Sequence, residues 1–135
     1  MPFADVNWIA LLAAAVASFA FGAIWYMSLA KSWMAALGRT EAELKAQASP
    51  LPYVIALVAQ FVMACILMQL LVRLEALGLG AALKTAFFLW LGFVLTTLAV
   101  NHGFQQSRRA LTLIDGGHWL GVMLVQALVI SLVGL

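Results

Sequence analysis

Four stretches of the chain run through apolar residues with almost no charge, and shorter polar segments separate them. They lie at about 6–27, 53–72, 83–101 and 118–135. At about 1.5 Å of rise per residue, some twenty residues of helix cover roughly 30 Å, the thickness of a bilayer's hydrocarbon core. The pattern predicts an all-α integral membrane protein. It is a four-transmembrane-helix bundle forming a single domain over 1–135, with a short interfacial helical loop over 31–49 between the first two spans.

Small residues recur inside these stretches at helical spacing. Ala10, Ala14, Ser18 and Gly22 stand four apart on the first span, which puts them on one face where another backbone can come close. Phe88, Gly92, Thr96 and Val100 form a partly small row on the third, and Gly117 and Gly121 a further pair at the start of the fourth. The expected packing set is therefore Ala10, Ala14, Ser18, Gly22, Gly92, Gly117 and Gly121.

The polar segments carry their own signals. Asp5 or Asn7 can cap the first helix. Gly38 suits a helix stop in the left-handed region, and Thr40-Glu41-Ala42-Glu43 has the form of a capping box, with Glu41 and Lys45 four apart behind it. The loop reads as two short interfacial helices with Trp33, Met34 and Leu37 turned to lipid. Pro50 and Pro52 open the second span, and Gly78 and Gly80 mark a tight turn that makes the second and third spans antiparallel neighbours.

Composition supports lipid as the solvent: 66% of residues are hydrophobic and 9% charged, and the mean hydropathy is +1.08. A net charge of +2 then bears on topology rather than on nucleic acid, which is not an expected partner. Lys31, Arg39, Lys45, Arg108 and Arg109 fall in the first and third loops, against Arg73 and Lys84 in the second. Five against two places loops 1 and 3 in the cytoplasm and both termini outside it. No Lys or Arg precedes the first apolar run, so a cleaved signal peptide is not expected. Cys65 is the sole cysteine and forms no intrachain disulfide.

Groups able to do chemistry are sparse. His102, Asp115 and His118 gather near the cytoplasmic ends of the third and fourth spans beside Arg108 and Arg109. Asp115 and His118 are three apart and share a helical face. Two histidines and a carboxylate fit a metal site, the arginines fit an anion or lipid headgroup, and the plainest reading is capping and mutual pairing. We expect no catalytic residues, no metal and no cofactor. Ser18, Gln60, Gln69, Thr96, Thr97 and Gln126 are the polar groups inside the spans, and interhelical hydrogen bonding is their expected use. No span carries a central acidic residue for ion coupling, which argues against proton antiport. Trp8, Trp25, Tyr26, Trp33, Tyr53 and Trp119 lie near the expected membrane interfaces.

Asn7-Trp8, Gly22, Trp25-Tyr26, Lys31, Trp33-Met34 and Leu37-Gly38 together resemble the signature of domain of unknown function family 1761, small bacterial membrane proteins. Asn101 with Phe104, and Ile114 with Gly117 and His118, resemble its later segment. The resemblance implies membrane location and fold, carries no activity, and points to Asn7, Gly22, Trp25, Tyr26, Trp33, Gly38 and Asn101 as positions to test. A corner of Gly22, Trp25, Tyr26, Trp33 and Asn101 is expected to act as an internal clamp or as a lipid-headgroup pocket. The functional expectation is a non-enzymatic protein acting by helix association, as a homo-oligomer or as an accessory subunit of a larger membrane complex, with membrane lipids as its other partners. An oligomeric transporter or channel for small solutes or lipids is the alternative.

Overall fold

The computed structural model describes residues 6–134. Its helices are α1 (Trp8–Ser28), α2 (Ala30–Leu37), α3 (Glu41–Ala46), α4 (Leu51–Arg73), α5 (Leu79–Leu89), a π-helical segment (Trp90–Leu95), α6 (Thr96–Phe104) and α7 (Arg109–Val133). The segment from Leu79 to Phe104 is one continuous span, so among the described residues four helices are long and apolar enough to cross a membrane.

α7 is the central element, packed along α1 on one side and along α5 on the other, with α4 closing against α1. The small row of α1 makes this possible: Ala10, Ala14, Ser18 and Gly22 are all buried. Lipid gives helices no hydrophobic reason to associate, so close backbone approach and interhelical hydrogen bonds must hold the spans. Ala64 on α4, Ala82 and Ala86 on α5 and Ala127 on α7 extend the same small-residue core. Asn7 caps α1 by accepting a hydrogen bond from the Ala10 amide (3.1 Å). Its amide nitrogen also donates to the Gly134 carbonyl (3.2 Å), tying the start of α1 to the end of α7. Asp5, the other capping candidate, lies outside the described residues.

Local signals in the first loop translate directly. Gly38 ends α2 at φ +71°, and Thr40 caps α3 by accepting from the Glu43 amide (3.2 Å). The Thr40 hydroxyl also donates to the Glu43 carboxylate (3.2 Å), and Glu41 pairs with Lys45 at 3.0 Å.

Several expectations need correction. The last span starts at Arg109, not near His118, because 109–117 continues the helix with Leu111, Ile114 and Gly116 facing inward. The third span likewise extends beyond 83–101 at both ends. Trp33 and Leu37 do not face lipid: α2 folds back so that they pack with Ala36 against Leu111 and Ile114 of α7. α5 touches α4 only slightly, and the chief neighbour of the third span is α7. The connecting turn is closed by Glu75 at φ +53° rather than by Gly78 or Gly80.

The π-helical segment has a geometric reason. Inward positions on the third span recur every four residues, at Ala82, Ala86, Trp90, Val94, Leu98 and His102. In an α-helix each such step overshoots by about 40°, roughly 200° over the row. A π turn accommodates about one extra residue, taking back about half of that rotation. Trp90 anchors the segment by donating its indole N–H to the Gly116 carbonyl of α7 (2.8 Å).

Candidate functional site

The residues singled out from the sequence divide between three places. Most converge where the end of α1, the start of α7, α2 and the end of α6 meet. Gly22 of α1 lies under the His118 ring, and a Cβ there would stand 2.6 Å from His118 Nε2. One turn on, Trp25 covers Gly117, whose Cβ would lie 2.7 Å from Trp25 Cζ2, and donates its indole N–H to the Ile114 carbonyl (3.0 Å). Phe21 covers Gly121 so closely that any side chain there would overlap its ring. Glycine on one helix therefore faces a ring on the other at three successive levels, which is why α1 and α7 approach so tightly.

Tyr26 extends this contact into a polar relay. Its hydroxyl donates to Asp115 Oδ1 (2.7 Å), and Asp115 Oδ2 lies 3.7 Å from His102 Nε2. His102 Nδ1 is 2.7 Å from the Thr112 hydroxyl. The chain Tyr26, Asp115, His102, Thr112 thus links α1, α7 and α6. Trp33 of α2 meets the Tyr26 ring edge-on at 5.8 Å. Arg108 donates to the Ala35 carbonyl of α2, while Arg109 is exposed and has no hydrogen-bond or ion-pair partner among the described residues. His118 is buried between the rings of Tyr26 (4.8 Å) and Trp119 (4.7 Å), and its Nδ1 has no hydrogen-bond partner among the described residues.

Two predicted members are elsewhere. Asn7 sits at the opposite end of the bundle, as the cap described above. Asn101 is exposed on α6 and does not join the corner of Trp25 and Tyr26. Among the described residues no group of three or more His, Cys, Asp or Glu could hold a metal ion. His102 and His118 both approach Asp115, yet only His102 comes within ion-pair distance of it.

A second polar cluster lies midway through the spans. Ser18 donates to Gln60 Oε1 (2.7 Å), and Gln126 Nε2 donates to the Gln60 carbonyl (2.8 Å) and meets Ser18 Oγ at 3.2 Å. All three side chains are buried, and Gln126 Oε1 has no hydrogen-bond partner among the described residues. Turning the Gln126 amide over would set its oxygen against the Gln60 carbonyl, so the orientation is determined by its neighbours. This use of Gln60 and Gln126 as interhelical links follows from their place in the spans. Their mutual contact has no signal in the spacing, since they lie 66 residues apart.

Gly92 departs furthest from expectation. It lies on the outer face of the third span with open space around it, so it packs nothing inside this fold. Phe88, Thr96 and Val100 of the same row are exposed as well. Thr96 and Thr97 return their hydroxyls to the carbonyls of Gly92 and Phe93 (2.8 and 2.5 Å), leaving no polar demand on that face.

Fold and site together define a helical membrane bundle of four spans, closed by ring-over-glycine contacts and carrying one polar relay at an end. The chain belongs to the family described as protein of unknown function, DUF1761, whose model matches residues 9–131, nearly the whole length. No curated protein and no solved structure matches it.

Proposed function

We propose that this protein acts without catalysis, by lateral association in the membrane through its third span, as a homo-oligomer or as an accessory subunit of a larger complex. One observation carries the reading. Of the most apolar window of the third span, 6% is buried in the fold, against 33–39% for the other three. That outer face holds Gly92 and Thr96 at four-residue spacing, the kind of surface on which a second transmembrane helix can approach closely. The interior argues the same way: Ser18, Gln60 and Gln126 spend most of their hydrogen-bonding capacity on one another, as a structural link does, rather than facing a path for a solute.

The relay from Tyr26 to Thr112 acts in this reading as a clamp that fixes α1 and α6 on α7, so that the outer face is presented rigidly. The membrane is the bacterial inner membrane. Loops 1 and 3 face the cytoplasm and both termini face away from it, as the basic residues distribute.

Cysteine cross-linking tests the association. In a Cys65→Ser background, Gly92→Cys and Thr96→Cys are expected to give disulfide-linked species in native membranes. Leu113→Cys, on an exposed position of α7, is expected to give none. Equal cross-linking at all three positions contradicts the proposal, and none at Gly92 and Thr96 contradicts its homo-oligomeric form.

A further inference from the structure

Asp115 is a carboxylate held mostly out of water, its side chain 21% exposed, and no lysine or arginine among the described residues pairs with it. One of its oxygens accepts from the Tyr26 hydroxyl (2.7 Å), and the other faces His102 Nε2 across 3.7 Å. That gap is too long for a hydrogen bond between neutral groups, yet it lies within ion-pair reach.

The two ring nitrogens of His102 decide which charge state fits, with Nδ1 2.7 Å from the Thr112 hydroxyl. A neutral ring protonated on Nδ1 donates to Thr112 and turns the Nε2 lone pair on the carboxylate. A neutral ring protonated on Nε2 accepts from Thr112 and offers Asp115 only a long, uncharged contact. The cationic ring donates at both nitrogens and carries the charge that the carboxylate lacks. Histidine changes charge within the physiological pH range, which lysine and arginine do not.

No other group around His102 substitutes for it. On the third span no charged residue lies between Lys84 and His102. In the α6–α7 turn Arg108 is committed to the Ala35 carbonyl, and Arg109 at the start of α7 is exposed without a partner. Farther along α7, His118 stays outside ion-pair distance of Asp115, and Tyr26 of α1 reaches the site only through its bond to Asp115.

We infer that protonation of His102 locks the end of the third span onto α7 through Asp115, and that deprotonation releases that end. The inference rests on the reading of the relay as a clamp and gives its α6 arm a pH control. The α1 arm is independent of it, because Tyr26 donates to Asp115 in either state.

Hydrogen exchange of the full chain in mild detergent tests the switch at about pH 6 and about pH 8, on either side of the histidine range, with each amide's rate divided by its intrinsic rate at that pH. The amides of Gln105, Gln106 and Ser107 close the end of α6 on the carbonyls of Asn101, Gly103 and His102 and report on it. Their protection is expected to fall about fivefold from the lower pH to the higher, the ratio that corresponds to a partly exposed ion pair. In His102→Gln, which keeps hydrogen-bonding groups without a titrating one, and in Asp115→Asn, protection should be equal at the two pH values. Wild-type protection that does not change with pH, a pH dependence that survives in His102→Gln, or an equal loss across α2 and α6 would each overturn the switch. The clamp itself is read from α2 in Asp115→Leu at a single pH, so a wild type indifferent to pH with α2 loosened in that variant removes the switch and leaves the clamp. Thermal unfolding of each variant, matching the wild type, verifies that lost protection is not lost fold.

Discussion

Gly22 and His118 occupy the same space from opposite helices: the imidazole lies where a side chain at Gly22 would be. The ring cannot swing clear without moving Tyr26 or Trp119, which stand within 4.8 Å of it, centroid to centroid. Gly22→Ala is therefore expected to force α1 off α7 at a cost of about 1–3 kcal/mol. Gly92→Ala, with open space around it, should leave the bundle's own stability unchanged. Thermal unfolding in detergent separates the two, and equal midpoints would mean that His118 relaxes freely.

Trp25 contributes in two ways that substitution can divide. Trp25→Phe keeps a ring on α1 but loses the hydrogen bond to the Ile114 carbonyl, about 0.6 kcal/mol for an interhelical bond in a membrane, together with the outer indole atoms that cover Gly117. Trp25→Ala also empties the space over Gly117 and should cost several times more. An unchanged unfolding midpoint for Trp25→Ala would rule out the clamp.

The cluster midway through the spans should behave as a coupled pair. Ser18→Ala and Gln126→Leu, singly and together, form a double-mutant cycle read by equilibrium unfolding. An interaction energy of about 0.6 kcal/mol is expected, the average for such bonds in a helical membrane protein. Strict additivity would show that the 3.2 Å contact contributes nothing.

Asp115 joins α1 to α6 through Tyr26 and His102. Asp115→Asn keeps an oxygen for the Tyr26 hydroxyl, whereas Asp115→Leu leaves that hydroxyl without an acceptor. Hydrogen exchange of α2, which rests on Tyr26 and the first turns of α7, should accelerate in Asp115→Leu and much less in Asp115→Asn. Matching rates in both variants would place the relay outside the clamp.

What could be read from the chain itself follows the range of each signal. The small row of α1, the stop at Gly38 and the cap at Thr40 depend on neighbours within about one turn or on simple helical spacing, and each is where that logic puts it. The start of α7 was hidden because Asp115, Gly116 and Gly117 look like a loop until Trp25, Trp90 and Tyr26 arrive from other helices to use them. Trp119 resembled an interface residue for the same reason, and the earlier start of α7 carries it well into the span. Trp33 and Leu37 form an apolar face suited to lipid or to protein, and only the fold-back of α2 decides between them. Gly92 has the correct spacing for packing but points outward, because periodicity shows which residues share a face and not what that face meets.

The proposed association is tested most directly by the mass of the intact protein released from mild detergent. A species heavier than one 14.5 kDa chain with its lipids is expected, either a multiple of it or a complex with a foreign subunit. Gly92→Leu with Thr96→Leu should reduce it to the single chain while the unfolding midpoint stays put. A wild-type protein found only as one chain, or a heavier species indifferent to both substitutions, would contradict it.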